Sequence, residues 1–574
     1  MTPRENAGRA DLAAWKDASE TNYYDATPNL GHVLQLHMNT GRFAQIEPRL
    51  REFGATVATV VDPAVEVLER RRELPALDSF DGVGRRTERI EFHPAYHDAG
   101  RAIWRSGILA FAAKPGRAAE QTALFYLLSH AGEGGHACPV ACTAGLIRAL
   151  QAHGSPQLQE RFLPRLLETH YAHADRGSQF LTEVQGGSDV GANLAEATQD
   201  ADGAWRISGE KWFCSVADAD QFLITARPAG AAADTRGLGC FVVPRMVDGE
   251  PNGFRIRRLK DKLGTRAMAS AEIDFDGALA FPIGPIDEGF HIAVGVVLNT
   301  SRWLNAAGST GLMRRAVLEA SRYARHRRAF GRPIGDFSLV KEQLAVMTVE
   351  EQAALASTME LAALVDRIDV DIADFDDVAF HRVLVNANKY VTSIAATDVV
   401  HRAIEVLGGN GTIEEFSCLP RLYRDAIVFE SWEGTHNVLC EQVRRDMSRL
   451  DLLDPVIGRL RTHLGALTAS EDVAAVTTAV DELEPALRNA VDDADGSVRF
   501  RWLLGRLTRS IQAACLLKEA EAEAGAAVSS SKADVAAFFI RRHVVAGYDP
   551  ARDPRYLERI DAVLGATSTT SQHA

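Results

Sequence analysis

The sequence predicts a chain of successive α, β and α domains, on three observations. At 574 residues it is too long for one hydrophobic core, so three or four domains are expected. Apolar residues recur at helical spacing up to about residue 178, shorten to strand-like alternation around Phe180, and return to helical spacing from Gly289. Turn dipeptides such as Asp202-Gly203 and Asp248-Gly249 punctuate the middle stretch, as short strands require.

Residues 1–90 are mixed, with helical patterns over Gly41–Phe53 and Pro63–Arg72. From 92 to 178 helices are expected, with apolar positions recurring through Ile103–Ala112, Ala123–Leu128, Ala144–Leu150 and Leu158–Leu167. Strands are expected at Trp205–Ile207, Phe213–Ser215, Gln221–Ala226, Cys240–Val243, Phe254–Arg257 and Ala271–Phe275. Long helical stretches follow at Phe290–Arg325, Leu339–Ile368 and Asp377–Leu407, of a length suited to a bundle. A further helical segment fills 451–565, and Thr567–Ala574 has the character of a frayed tail. The domain boundaries are therefore drawn at 1–178, 179–286, 287–449 and 450–574.

Composition sets limits on function. A hydrophobic share of 46% with 24% charged residues fits an ordinary soluble globular protein. The longest apolar runs, such as Ile292–Leu298, are far too short to span a membrane, and residues 1–20 lack the apolar core of a secretory signal. Seven cysteines without a framework spacing fit free thiols in a reducing cytoplasm. A net charge of −14 argues against general affinity for nucleic acid. Metal binding by His93 and His97 is not expected, since Pro94 lies between them and no third ligand is evident. Gly132-Glu-Gly-Gly-His-Ala137 follows a helical pattern instead of a strand, which disfavours a dinucleotide fingerprint.

Chemistry concentrates in Glu405–Asn437, EVLGGNGTIEEFSCLPRLYRDAIVFESWEGTHN. Gly408, Gly409 and Gly411 let backbone approach a flat or phosphorylated ligand, and the same pair of glycines also suits a helix C-cap. Glu433, between Trp432 and Gly434, is a candidate general base, because apolar surroundings raise a carboxyl pKa toward neutrality; an ordinary surface glutamate is the other reading.

Four further stretches carry signals in the same order: Leu181-Thr-Glu-Val-Gln-Gly-Gly-Ser-Asp189, Gly209-Glu-Lys-Trp-Phe-Cys-Ser215, Thr300-Ser-Arg302, and Arg327-Arg-Ala-Phe-Gly-Arg-Pro-Ile334. With GGNG, LYRD and WEGTHN, they resemble the motifs of acyl-CoA dehydrogenases over roughly 95–447. These are FAD enzymes that remove hydrogens from the α and β carbons of an acyl-CoA thioester. The resemblance implies an acyl-CoA dehydrogenase-like fold: an N-terminal all-α domain, a central β-barrel or sandwich, a C-terminal four-helix bundle and an extra C-terminal helical domain.

It also implies roles. Glu433 would be the base and Arg302 its catalytic neighbour; Ser301 stands where some members carry an alternative glutamate. Thr182, Ser188, Phe213 and Ser215 would contact the flavin end of FAD, Ser215 at N5. Arg327 would bond the pyrophosphate of a neighbouring subunit's FAD, with Phe330 packed near it. Glu405, Gly408, Gly409, Thr435 and Asn437 would complete the cofactor contacts, although Glu405 replaces a customary glutamine. Ser188, Gly434 and Arg424 would meet the substrate. Implied partners are an acyl-CoA, an electron-transfer flavoprotein or O2 as electron acceptor, and further copies of the chain, a tetramer by family habit.

Glu91-Phe-His-Pro-Ala-Tyr-His97, Cys138-Pro139, Leu259-Lys-Asp-Lys-Leu-Gly264 and the C-terminal extension are similar to the AidB-like branch, flavoproteins linked to bacterial alkylation responses. In that branch the extension is associated with DNA. The resemblance therefore implies two alternatives as well: a DNA-protective flavoprotein with weak dehydrogenase activity, or a flavin oxygenase on this fold acting on a CoA ester. Here residues 451–574 hold 14 Lys and Arg against 18 Asp and Glu, so a docking or oligomer role is expected, and DNA binding only through the cluster Arg499, Arg501, Arg506 and Arg509.

Overall fold

A computed structural model describes residues 7–493, 496–525 and 532–568. The chain divides into two compact units. The first comprises Thr59–Asn305 with Trp432–Gly434; the second comprises the segments up to Ala58, Ala306–Ser431 and from Thr435 onward.

The first unit is a set of helices and a barrel. A hairpin of β1 (Ala76–Phe80) and β2 (Arg86–Glu91) precedes the helix Pro94–Arg105, whose first turn is capped by His93 Nδ1 accepting from Ala95 N at 3.2 Å. Proline at the first helical position needs no hydrogen-bond donor there, so His93-Pro94 is a helix start. The helix Ala118–Leu128 is buried on every side, which explains its lack of a polar face. The helix Ala137–His153 follows the Gly132–His136 loop and supplies Cys138 and Cys142 to the barrel core.

The barrel strands are β3 (Gly177–Phe180), β4 (Glu196–Gln199), β5 (Trp205–Ser215), β6 (Gln221–Pro228) and β7 (Gly239–Pro244). After a small hairpin of β8 (Met246–Val247) and β9 (Glu250–Pro251) come β10 (Phe254–Leu259) and β11 (Ser270–Pro282). β5 pairs with β4, β4 with β6, β6 with β7 and β7 with the far end of β11, which returns along β5 and closes the ring. Phe180, Phe222 and Phe275 fill the interior.

Two strand-like runs, Trp205–Ile207 and Phe213–Ser215, are one strand. Gly209 joins them at φ +136°, where a Cβ would stand 2.7 Å from the Ala195 Cα. After Glu288 the predicted helix Phe290–Arg325 is interrupted by a π-helical turn, Ala293–Leu298, before the helix Asn299–His326.

The second unit holds the long helices Ser338–Asp369 and Phe375–Leu407, the helices Leu419–Ser431 and His436–Arg449, and the helices of the extension, Leu453–Gly465, Glu471–Asp492, Ser497–Gly525, Lys532–His543 and Tyr556–Ser568. Buried carboxylates on Ser338–Asp369 tie the extension to it. Glu350 is ion-paired with Arg509 and hydrogen-bonded to His543, and Glu360 is ion-paired with Arg459 and Lys518. Among the described residues, no helix is long and apolar enough to cross a membrane.

Candidate active site

In the first unit, the loop after β3 is fixed against β5. Trp212 N donates to the Thr182 carbonyl at 2.9 Å. Glu183, 3% exposed, accepts from Lys211 Nζ at 2.6 Å, from Leu194 N at 2.6 Å, from Ala195 N at 3.2 Å and from Gln185 Nε2 at 2.8 Å. Burial works against charge on both members of the Lys211–Glu183 pair. The ammonium and the backbone donors nevertheless hold the Glu183 carboxyl below the ordinary range, while burial lowers the pKa of Lys211.

Thr182 Oγ1 lies 2.7 Å from where a Cβ on Gly187 would be, so only glycine lets the loop fold so tightly. A bulge in β5, where Lys211 pairs with Ile273 and Cys214 with Ala271, brings Lys211 and Cys214 to one buried side and leaves Phe213, half exposed, and Ser215 on the other. Lys260 Nζ stands 3.6 Å from the Trp212 ring centre and 4.8 Å from that of Phe213. Ser188 is exposed at the loop tip.

The turn carrying Glu433 belongs to the same unit. Glu433 has φ +59° and Gly434 φ +109°, a conformation that non-glycine residues rarely adopt, and Trp432 packs on the barrel core. Arg302, 3% exposed, holds the turn: its Nε donates to the Glu433 carbonyl at 3.0 Å. The preceding residue is locked as well. Ser301 Oγ and the Gln179 amide exchange hydrogen bonds at 3.2 and 3.3 Å, and Gln179 also donates to the Cys142 carbonyl. The Cys142 thiol, burial, and the charges of Glu133 and Glu433 all push the Cys138 thiol up, so Cys138 lies within electrostatic reach of Glu433.

The remaining expected residues lie in the second unit. Arg327 follows the helix Asn299–His326 and leads into a short hairpin, Arg328–Ala329 with Arg332–Pro333, whose tip presents Phe330 at 96% exposure with φ +51°. Gly408 closes the helix Phe375–Leu407 at φ +62° and ψ −142°. A Cβ on Gly408 or Gly409 would meet open space, whereas one on Gly411 would strike the Ile404 carbonyl at 2.5 Å. Gly411 is therefore needed for packing, while the other two leave bare backbone available to a ligand. Glu405 is exposed. Thr435 precedes the helix His436–Arg449, and Asn437 Oδ1 accepts from Arg501 at 3.4 Å. Arg424 is ion-paired with Glu414.

Each unit, taken by itself, carries chemistry that suits part of a flavin nucleotide. In the first, the Phe213 ring and the Ser215 hydroxyl suit a flat ring with a polar edge; in the second, open glycine backbone and Arg327 suit phosphate. In the extension, the arginine cluster is partly committed: Arg509 is paired with Glu350, Arg501 lies over the Trp502 ring, and Arg499 and Arg506 are exposed. Glu183, Lys211 and Lys262 lie within the sequence motifs, but no pattern there marks their roles.

Profiles of known families match along the chain: the AidB N-terminal domain over 15–173, the acyl-CoA dehydrogenase middle domain over 178–278, and its C-terminal domain over 287–448. The putative acyl-CoA dehydrogenase AidB of Escherichia coli K12 is 34% identical over 388 residues, 65% of this chain and 69% of that one. The chain belongs to the acyl-CoA dehydrogenase family. Acyl-CoA dehydrogenase family member 11 of Caenorhabditis elegans is 30% identical over 496 residues, 82% of this chain and 79% of that one. The solved structure of Caenorhabditis elegans ACDH-11 in complex with C11-CoA superposes with a TM-score of 0.86 at 27% identity, covering 97% of this chain and 96% of that one. An acyl-CoA dehydrogenase fold with an AidB-type N-terminal domain thus agrees with the order of domains expected from the sequence.

Proposed function

We propose that this enzyme dehydrogenates the α,β carbon–carbon bond of an acyl-CoA, with Glu433 as base and FAD as cofactor. The observation that carries the reading is the strained Glu433 turn clasped by buried Arg302. A positive φ at a non-glycine residue costs about 1–3 kcal/mol, and such strain concentrates at functional sites. Bound FAD supplies the two-electron acceptor for the hydride that leaves the β carbon.

The chain's own residues do the rest. The backbone N–H of Glu433 polarises the thioester carbonyl and so acidifies the α C–H, and the Glu433 carboxylate takes the proton. Arg302 fixes the turn from which that carboxylate projects. Thr182, Ser188, Phe213 and Ser215 form the flavin-facing set, with Ser188 and Gly434 toward the thioester. Arg327, Phe330, Gly408, Gly409, Thr435 and Asn437 form the set for the nucleotide; Arg327 serves a neighbouring subunit's FAD, which calls for at least a dimer and favours a tetramer. Electrons leave for an electron-transfer flavoprotein or O2.

The test is anaerobic titration of the purified flavoprotein with straight-chain, branched and aromatic acyl-CoAs, C11-CoA included, while following oxidised flavin absorbance. Bleaching by one class is expected, and Glu433→Gln should abolish it with FAD still bound. Normal bleaching in that variant overturns the assignment of the base.

A further inference from the structure

We infer that Lys262 and Ser270 are positioning residues that set which way the Ser215 hydroxyl donates, and thereby tune the flavin edge it faces. The inference rests on the flavin placement proposed above. β5 and β11 are in register at Ser215 and Ser270, whose hydroxyl oxygens stand 3.3 Å apart. Lys262, in the turn leading into β11, reaches back to the same point: its Nζ donates to Ser270 Oγ at 2.9 Å and to the Met268 carbonyl at 2.7 Å.

The direction of this chain follows from donor and acceptor counts. An ammonium only donates, so Ser270 Oγ must accept from Lys262. The Ser270 proton then has two acceptors in reach, Ser215 Oγ at 3.3 Å and Met268 Sδ at 3.5 Å. A thioether is a weak acceptor, and this sulfur already accepts from Val216 N at 3.3 Å. Ser270 therefore donates to Ser215, and the Ser215 proton is directed away from the pair. Ser270 is buried, so water does not compete for the arrangement. Lys262 is half-buried, and the turn behind it is stapled by Arg266 Nε donating to the Lys262 and Leu263 carbonyls. The Val216 backbone, at φ +57° immediately after Ser215, ends the strand at this point and leaves Ser215 at its rim.

Oxidised flavin N5 accepts a hydrogen bond, whereas reduced N5 carries a hydrogen and needs an acceptor, so an outward-pointing Ser215 donor favours the oxidised flavin. The experiment is a reductive dye-equilibration titration of FAD-loaded protein, which needs no acyl-CoA. Ser270→Ala, which frees the Ser215 hydroxyl to turn and accept, is expected to shift the two-electron reduction equilibrium about tenfold toward the reduced form. That corresponds to a midpoint about 30 mV higher. Lys262→Met frees the hydroxyl too but also removes a positive charge, so its shift should be smaller, and Ser270→Thr should return most of the shift.

Ser270→Ala leaves the Lys262 bond to the Met268 carbonyl in place, so it decides the matter even if Lys262→Met does not fold. A potential and flavin spectrum in Ser270→Ala equal to wild type overturn the inference. Wild-type protein that neither carries nor takes up FAD overturns it together with the placement on which it rests. Flavin binding without bleaching by any acyl-CoA counts against the proposed reaction alone and leaves the titration decisive.

Discussion

Removing either member of the Lys211–Glu183 pair should destabilise the barrel, and the two losses should depend on pH in opposite directions. Lys211 is fully buried and Glu183 nearly so, and each would be stranded without the other. Breaking a buried pair by removing one partner costs about 3–5 kcal/mol, because a charge stays behind in a poorly solvating site. At about 2–4 °C per kcal/mol for a unit of this size, the melting point should fall by about 6–20 °C.

In Lys211→Met the stranded group is a carboxylate whose pKa burial now raises above its unfolded value. The loss is then largest at high pH and shrinks as falling pH protonates Glu183. In Glu183→Gln the stranded group is an ammonium. Burial already lowers its pKa, and loss of the carboxylate lowers it further. Its unfolded counterpart then holds more protons, so stability recovers as pH rises toward the ordinary lysine range. Calorimetry or chemical denaturation of both variants at about pH 5.5, 7.5 and 9.5 reads these slopes. A loss below about 1 kcal/mol, or parallel pH profiles, would refute the reasoning.

Other perturbations separate further roles. Gly408→Ala should cost about 1–3 kcal/mol, since its φ and ψ lie where essentially only glycine is found, whereas Gly409→Ala should leave the melting point unchanged but weaken FAD retention by filling open space; thermal melts and flavin release rates test the contrast. Acid should loosen the second unit in two stages. Burial lowers the His37 pKa to about 4, so stability falls as pH drops from about 6.5 to 4 while the unfolded state takes up the proton first. Burial alone would raise the Glu360 carboxyl, but Lys518, His37, His463 and Arg459 outweigh it and bring it to about 2, so a second loss follows between about pH 4.5 and 2. His37→Gln should shrink the first stage by up to about 3 kcal/mol, the buried His463 and His543 supplying the remainder, and leave the second, as followed by circular dichroism across an acid titration.

The parts of the fold legible in the sequence were those where side-chain periodicity and burial coincide. β6 and β7 are apolar and buried along most of their length, and the long helices appeared within one or two residues of their ends. The hairpin β1–β2 gave no such signal, because its pattern mixes types: Glu88 is buried with Ile90 in β2, while apolar Ala76 and Phe80 are exposed in β1. β3 was silent for the opposite reason: Gly177-Ser-Gln-Phe180 is buried throughout, so nothing alternates. At the site, Glu433 and Arg302 were singled out from local motifs. The hydrogen bond that joins them spans 131 positions, and that between Gln179 and Ser301 spans 122, separations at which a single sequence carries no pairing information.

The carboxylates of Ser338–Asp369 bear on how this chain could change over evolution. Glu350 and Glu360 are buried in the bundle helix, yet three of their cations, Arg509, Arg459 and Lys518, are supplied by the extension. Shedding the extension would therefore leave two acids in the bundle without those counter-charges. The extension cannot behave as a detachable module: a shorter descendant would first have to replace both glutamates with apolar residues, and a lineage that kept them would be bound to keep its extra helices.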